Sequence, residues 1–137
     1  MENSVDELAL CLDHTSLSVS DLARASAFFQ AALAPLGIGI VANITAKQSG
    51  SVAFTGFGFG RKGSLWLAET GQQTPASHIC FRAKDHAQVR AFYDAALAAG
   101  GVCNGAPGAR AHYHPEYYAA FVRDPEGHNI EAVAFIA

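Results

Sequence analysis

The sequence predicts an α+β domain made of two βαβββ modules, on three observations. An offset of 64 residues lays 13–37 over 77–101 without a gap, and ten of the twenty-five positions are identical. Each copy opens with alternating residues and continues into apolar positions three and four apart, the periods of a strand and then a helix. Short β-prone runs broken by Gly, Pro and Ser follow each helical stretch. Five of the identities are Ala, but His14/His78, Asp21/Asp85, Phe28/Phe92, Leu33/Leu97 and Gly37/Gly101 carry a duplication.

In the first copy Leu12, His14, Ser16 and Ser18 alternate with Thr15, Leu17 and Val19, which makes the opening strand. Asp21 is placed to cap a helix whose apolar stripe is Leu22, Ala25, Phe29, Ala32, Leu33 and Leu36, and Pro35 with Gly37 stop it. Strands are expected over 38–44, 52–59 and 65–69. In the second copy Val89, Phe92, Ala96 and Leu97 repeat the stripe and Gly100-Gly101 end it. Strands over 117–123 and 128–136 flank Asp124-Pro125-Glu126-Gly127, the residues a type I turn favours. Residues 101–108 are too rich in Gly, Pro and Asn for a strand to be assigned, and His128 beside the turn is expected to be exposed. The modules run over about 9–70 and 77–137 with a linker near 71–76, all within one domain.

The 137 residues are 50% hydrophobic and 15% charged, enough to bury a core and unlike a disordered chain. A net charge of −3 gives no footprint for nucleic acid or anionic lipid, and no apolar run approaches a membrane span. Cys11, Cys80 and Cys103 form no C-x-x-C pair, so free thiols in a reducing cytoplasm are expected, in keeping with an acidic N-terminus that lacks a secretory n-region. Gly58-Phe59-Gly60-Arg61-Lys62-Gly63 fits G-x-G-x-x-G, but the strand-like Ser64–Ala68 follows where a dinucleotide site needs a helix; a hairpin with a basic tip fits better.

Three segments, DHTSLSVSDLARASAFF (13–29), SHICFRAKDHAQVRAFYDAALAAGG (77–101) and YYAAFVRDPEGHNIEAV (117–133), resemble the vicinal oxygen chelate superfamily of glyoxalase I, extradiol dioxygenases, and fosfomycin- and bleomycin-resistance proteins. The resemblance implies a glyoxalase-like cup of mixed β-sheets with helices outside. It also implies a divalent ion (Fe, Mn, Zn, Ni or Co) held by His14, His78 and Glu131. Two imidazoles and a carboxylate suit such ions and leave positions open for substrate oxygens. Glu131 shares a strand face with Asn129 and Val133, and between Ile130 and Ala132 a carboxylate needs a partner. The alternative is a pair of inherited strand histidines that hold no metal. Glyoxalase I adds a Glu on the last strand of its first module. Alignment sets Leu67 there, and Glu69 joins only if the register slips by two; otherwise it faces solvent at a strand end.

The stretch RAHYHPEYY packs Arg110, His112, His114, Tyr117 and Tyr118 close to the strand that precedes Glu131. His112, His114 and Tyr118 are candidates for moving protons, and Arg110, Tyr117, Trp66 and Leu67 for contacting substrate; the alternative is a polar aromatic loop over the core. Alternation does not decide which of Tyr117 and Tyr118 faces inward. Two functions follow from the resemblance. One is a metal-dependent lyase, isomerase or dioxygenase-type enzyme acting on a small oxygen-bearing substrate. The other is a metal-free protein that sequesters a small molecule, as bleomycin-resistance proteins do. A homodimer, with modules paired within or across chains, is compatible with either.

Overall fold

The computed structural model describes residues 12–72 and 75–135. Cys11, the acidic N-terminus, part of the expected linker and the last residue of the expected final strand lie outside the described residues. The elements in chain order are β1 (Thr15–Val19), α1 (Leu22–Leu33), a 3-10 turn (Ala34–Leu36), β2 (Gly39–Ile44), α2 (Ala46–Ser49), β3 (Phe54–Phe59) and β4 (Lys62–Glu69). There follow β5 (His78–Arg82), α3 (His86–Ala98), β6 (Val102–Ala109), β7 (Tyr117–Arg123) and β8 (Asn129–Phe135). Two four-stranded sheets result, ordered β1-β4-β3-β2 and β5-β8-β7-β6. In each, the first and last strands of the module pair in parallel and the rest antiparallel. The same order appears twice, as a duplicated βαβββ unit requires.

The helices begin where their caps stand. Asp21 accepts a hydrogen bond from the Arg24 N–H, and Asp85 accepts one from the Gln88 N–H. The first helix ends at Gly37, whose φ of 80° is left-handed and disfavours any side chain. Its repeat partner Gly101 serves a different need: a Cβ there would sit 2.5 Å from Val122 Cγ1 and 2.9 Å from Phe28 Cε1, where the two modules meet. α1 covers the first sheet, α3 covers the second, and the helices pack on each other. Phe28, Phe29, Leu65, Leu67, Phe92 and Ile130 are buried in one core shared by both modules. Each such side chain contributes about 1.5–3 kcal/mol on burial. The opposite face of each sheet stays clear of these helices.

Two expectations are corrected by the fold. Residues 102–109 do form a strand, at the edge of the second sheet, with register shifts between Cys103 and Gly105 and between Gly105 and Gly108. An edge strand tolerates Pro107 and bulges that an interior strand does not. His128 is buried at 0% exposure rather than exposed. The turn folds inward: Asp124 Oδ1 accepts the N–H groups of Glu126 and His128, and His128 Nδ1 accepts the Ser77 N–H at 3.0 Å. Both oxygens of the buried Glu126 accept from the Ser20 N–H, at 3.0 and 2.9 Å, tying the second module to the corner between β1 and α1.

Candidate functional site

Strand alternation and register decide which side chains share the helix-free faces. On the second sheet Cys80 pairs with Glu131, and Glu131 with Phe121, so all three look outward together with His78, two residues from Cys80. Glu131 is nonetheless 1% exposed. A buried carboxylate needs donors, and this one has two: His78 Nε2 lies 2.8 Å from Oε1, and the Tyr117 hydroxyl donates to Oε2 in a short hydrogen bond. The imidazole itself is half exposed. Tyr117 leans edge-on against Phe135 and Tyr113, with ring centroids 5.2 and 5.1 Å away. Burial first, and then the bond to Glu131 and its charge, push the Tyr117 hydroxyl well above the ordinary tyrosine range. Cys80, not singled out in the sequence, responds the same way: burial of its sulfur and then the Glu131 charge push the thiol up. Its spacing from His78, i and i+2 on one strand, is the signal that would have found it.

On the first sheet the helix-free face carries His14, Ser16, Ile44, Phe54 and Trp66 around a depression of about 260 Å³. His14 is half exposed, with Nδ1 2.6 Å from Asp13 Oδ2, and the same carboxylate pairs with Lys62 at 2.7 Å. The Lys62 ammonium first, and then the His14 ring, hold the Asp13 carboxyl below its ordinary range. Ser16 pairs with Trp66 as Cys80 pairs with Glu131. Trp66 therefore stands at the position symmetric with Glu131, and this face offers an indole where the other offers a carboxylate. The indole lies across Gly56 and Gly63, where an added Cβ would come within 2.6 and 2.5 Å of its ring. Leu67, aligned to that place from sequence, is one residue off and buried in the core on the opposite face. Glu69 turns to the helix side too, accepting the Leu22 N–H at 2.9 Å, and takes no part in either open face.

One chain brings His78 and Glu131 together. Among the described residues no group of three or more His, Cys, Asp and Glu side chains is gathered to hold an ion, so His14 does not join that pair within the chain. A cavity of about 270 Å³ does link the two edge strands: His14, Thr15 and Leu65 line it from the first module, and Ile79, Cys80 and Arg82 from the second. Of the remaining candidates, Tyr118 faces the helices, stacked on His86 with centroids 3.8 Å apart, so the tyrosine aimed at Glu131 is Tyr117. Arg110 hydrogen-bonds the Gly108 and Ala106 carbonyl oxygens and lies 5.4 Å from the Phe121 ring, which fixes it to the rim of the second face. His112 is exposed against Tyr113, and His114 accepts the Glu116 N–H and abuts Phe135. No helix among the described residues is long and apolar enough to cross a membrane.

Comparison with known proteins agrees with this architecture. Residues 11–132 match the family model of the Glyoxalase/Bleomycin resistance protein/Dioxygenase superfamily. The chain is similar to a glyoxalase/bleomycin resistance protein from Albidiferax ferrireducens T118, with 30% identity and a TM-score of 0.71 over 90% of this chain and 97% of that one. It shares its fold with a lactoylglutathione lyase from Agrobacterium tumefaciens at 21% identity and TM-score 0.65, over 91% and 93% of the two chains. It also shares it with glyoxalase I from Zea mays at 18% identity and TM-score 0.68, spanning 89% of this chain and 44% of that one. A search among curated proteins finds no match.

Proposed function

This chain belongs to the Glyoxalase/Bleomycin resistance protein/Dioxygenase superfamily, and from that premise we propose that it is a divalent-metal-dependent enzyme of the lyase, isomerase or dioxygenase type, acting on a small oxygen-bearing substrate. The observation that carries the reading is the His78–Glu131 pair: a nitrogen and an oxygen donor 2.8 Å apart on a helix-free face, one of them a carboxylate almost wholly out of water. That donor chemistry fits Fe, Mn, Zn, Ni or Co. When bound, such an ion supplies Lewis-acid polarisation to a substrate carbonyl or to neighbouring oxygens. His78 and Glu131 would hold it with His14, and the proposed assembly is a homodimer in which the second copy provides that histidine, because one chain does not bring the three together. Tyr117, Phe121 and Arg110 wall the face on the β6–β7 side.

Metal analysis of protein purified without chelator tests the proposal. Wild type is expected to hold about one ion per site, and His78→Ala and Glu131→Gln to lose it. A second reading, metal-free sequestration of a flat aromatic compound, draws on Trp66, whose indole is spread across two glycines on the other open face. Wild type that takes up none of the five metals yet binds an aromatic ligand would replace the first reading with the second.

A further inference from the structure

We infer that Tyr117 is a positioning residue, which holds the Glu131 carboxylate so that a single oxygen, Oε1, is presented beside His78. The inference rests on the reading that Glu131 belongs to the functional centre, and it goes further in assigning how that carboxylate is used. The two oxygens of Glu131 have separate donors on separate strands. Oε1 faces His78 on the parallel neighbour β5, and Oε2 takes the hydroxyl of Tyr117 from the antiparallel neighbour β7. Tyr117 is directly opposite Phe135, not Glu131, in the β7–β8 register. The Tyr117 and Glu131 side chains therefore lean toward each other across four residues of register to make this bond, a span that needs a side chain as long as tyrosine and that a serine or threonine would not close.

The ring is set for that reach. Phe135 and Tyr113 both meet it edge-on, at interplanar angles of 87° and 72°, and His112 in turn packs on Tyr113 at 4.2 Å. The hydroxyl proton is committed to Glu131, so the phenol oxygen keeps its lone pairs for a donor on the open face. A carboxylate with one oxygen tied in this way binds an ion through the other alone, which leaves more coordination positions for substrate. The same chain of rings connects the exposed residues 112–114 to Glu131, so contacts made by that loop bear on the centre through Tyr117.

Tyr117→Phe keeps the ring and deletes the donor. Titrated with Co²⁺ as the probe, this variant is expected to bind about 10- to 100-fold more weakly than wild type. It is also expected to change the visible cobalt spectrum as Oε2 becomes available, while the metal-free protein still folds but melts lower, because the buried Oε2 has lost its donor. Unchanged affinity would overturn the inference, as would weaker binding with an unchanged cobalt spectrum, which would make the tyrosine merely structural. A metal-free measurement separates this from the metal reading. The Tyr117 hydroxyl proton is expected as a protected, strongly downfield NMR signal that vanishes in Glu131→Gln. If wild type binds no cobalt but shows that signal, the metal reading fails and the positioning role stands; if the signal is missing, the positioning role fails whatever the metal result.

Discussion

Glu126 shows how much one side chain does between the modules. Both of its oxygens serve one backbone donor, the Ser20 N–H, inside a 7% exposed corner. Glu126→Ala leaves that donor unpaired and is expected to destabilise the protein by about 2 kcal/mol in urea unfolding, with Glu126→Gln costing less because an acceptor remains. Its neighbour Asp124 acts through pH. Burial raises the Asp124 carboxyl above the ordinary aspartate value, against the pull of the Glu126 and His128 N–H groups. A raised carboxyl keeps its proton longer folded than unfolded, so the unfolded chain ionises first. The Asp124 contribution to stability is then largest below the unfolded value, near pH 4, and declines as pH rises through the folded one. Asp124→Asn keeps an oxygen for both N–H groups and removes the ionisation. Its unfolding free energy, compared with wild type between pH 3 and 7, is expected to gain on wild type as pH rises; parallel curves would refute this. None of this was legible in the sequence, which set His128 in an exposed turn. Asp-Pro-Glu-Gly declares a turn, but nothing in its composition says that its polar side chains bond backbone groups inward.

At the scale of elements, the sequence spoke most clearly where one period holds for many residues. The stripe of α1, its Asp21 cap and its Pro35-Gly37 stop all reappear in the structure, because cap, stripe and stop each need a particular side chain. β6 was missed because an edge strand has little to pack. Val102, Cys103 and Asn104 are exposed, and two register shifts erase the alternation by which a strand is recognised. The symmetric counterpart of Glu131 was misplaced by a single residue, to Leu67 from Trp66. Ungapped alignment ends at the first helix, and beyond it only the pairing of Ser16 with Trp66 and of Cys80 with Glu131 fixes the match. The glycines of β3 and β4 then acquire a reason, as floor for the indole. Gly56→Ala is expected to cost about 1 kcal/mol and to lift the ring toward solvent. Trp66 is the chain's sole tryptophan, so a red-shifted emission spectrum reads the change directly. An unshifted spectrum would mean that the indole does not depend on that gap.

For the molecule as a whole, duplication placed two equivalent histidines on two sheets, and the helices joined those sheets from behind through one shared core. The repeat was therefore legible, while the meeting of its two histidines was not: sequence symmetry says that His14 and His78 are equivalent, not that they face one point. Within one chain His14 is engaged by Asp13 and His78 by Glu131. If a second copy completes each centre, defects on opposite sheets should complement one another. His14→Ala and Glu131→Gln chains, each expected to retain little metal alone, would on unfolding and refolding together form hybrid dimers. In a hybrid, one of the two centres combines an intact His14 with an intact His78–Glu131 pair, and the other carries both defects. Random pairing makes half of the dimers hybrids, so the mixture is expected to recover about a quarter of the wild-type metal content. Recovery at that level, absent when the chains are mixed without refolding, would establish a centre shared between copies. A mixture no better than its components, in protein shown to be dimeric, would return all three ligands to a single chain or remove His14 from the centre.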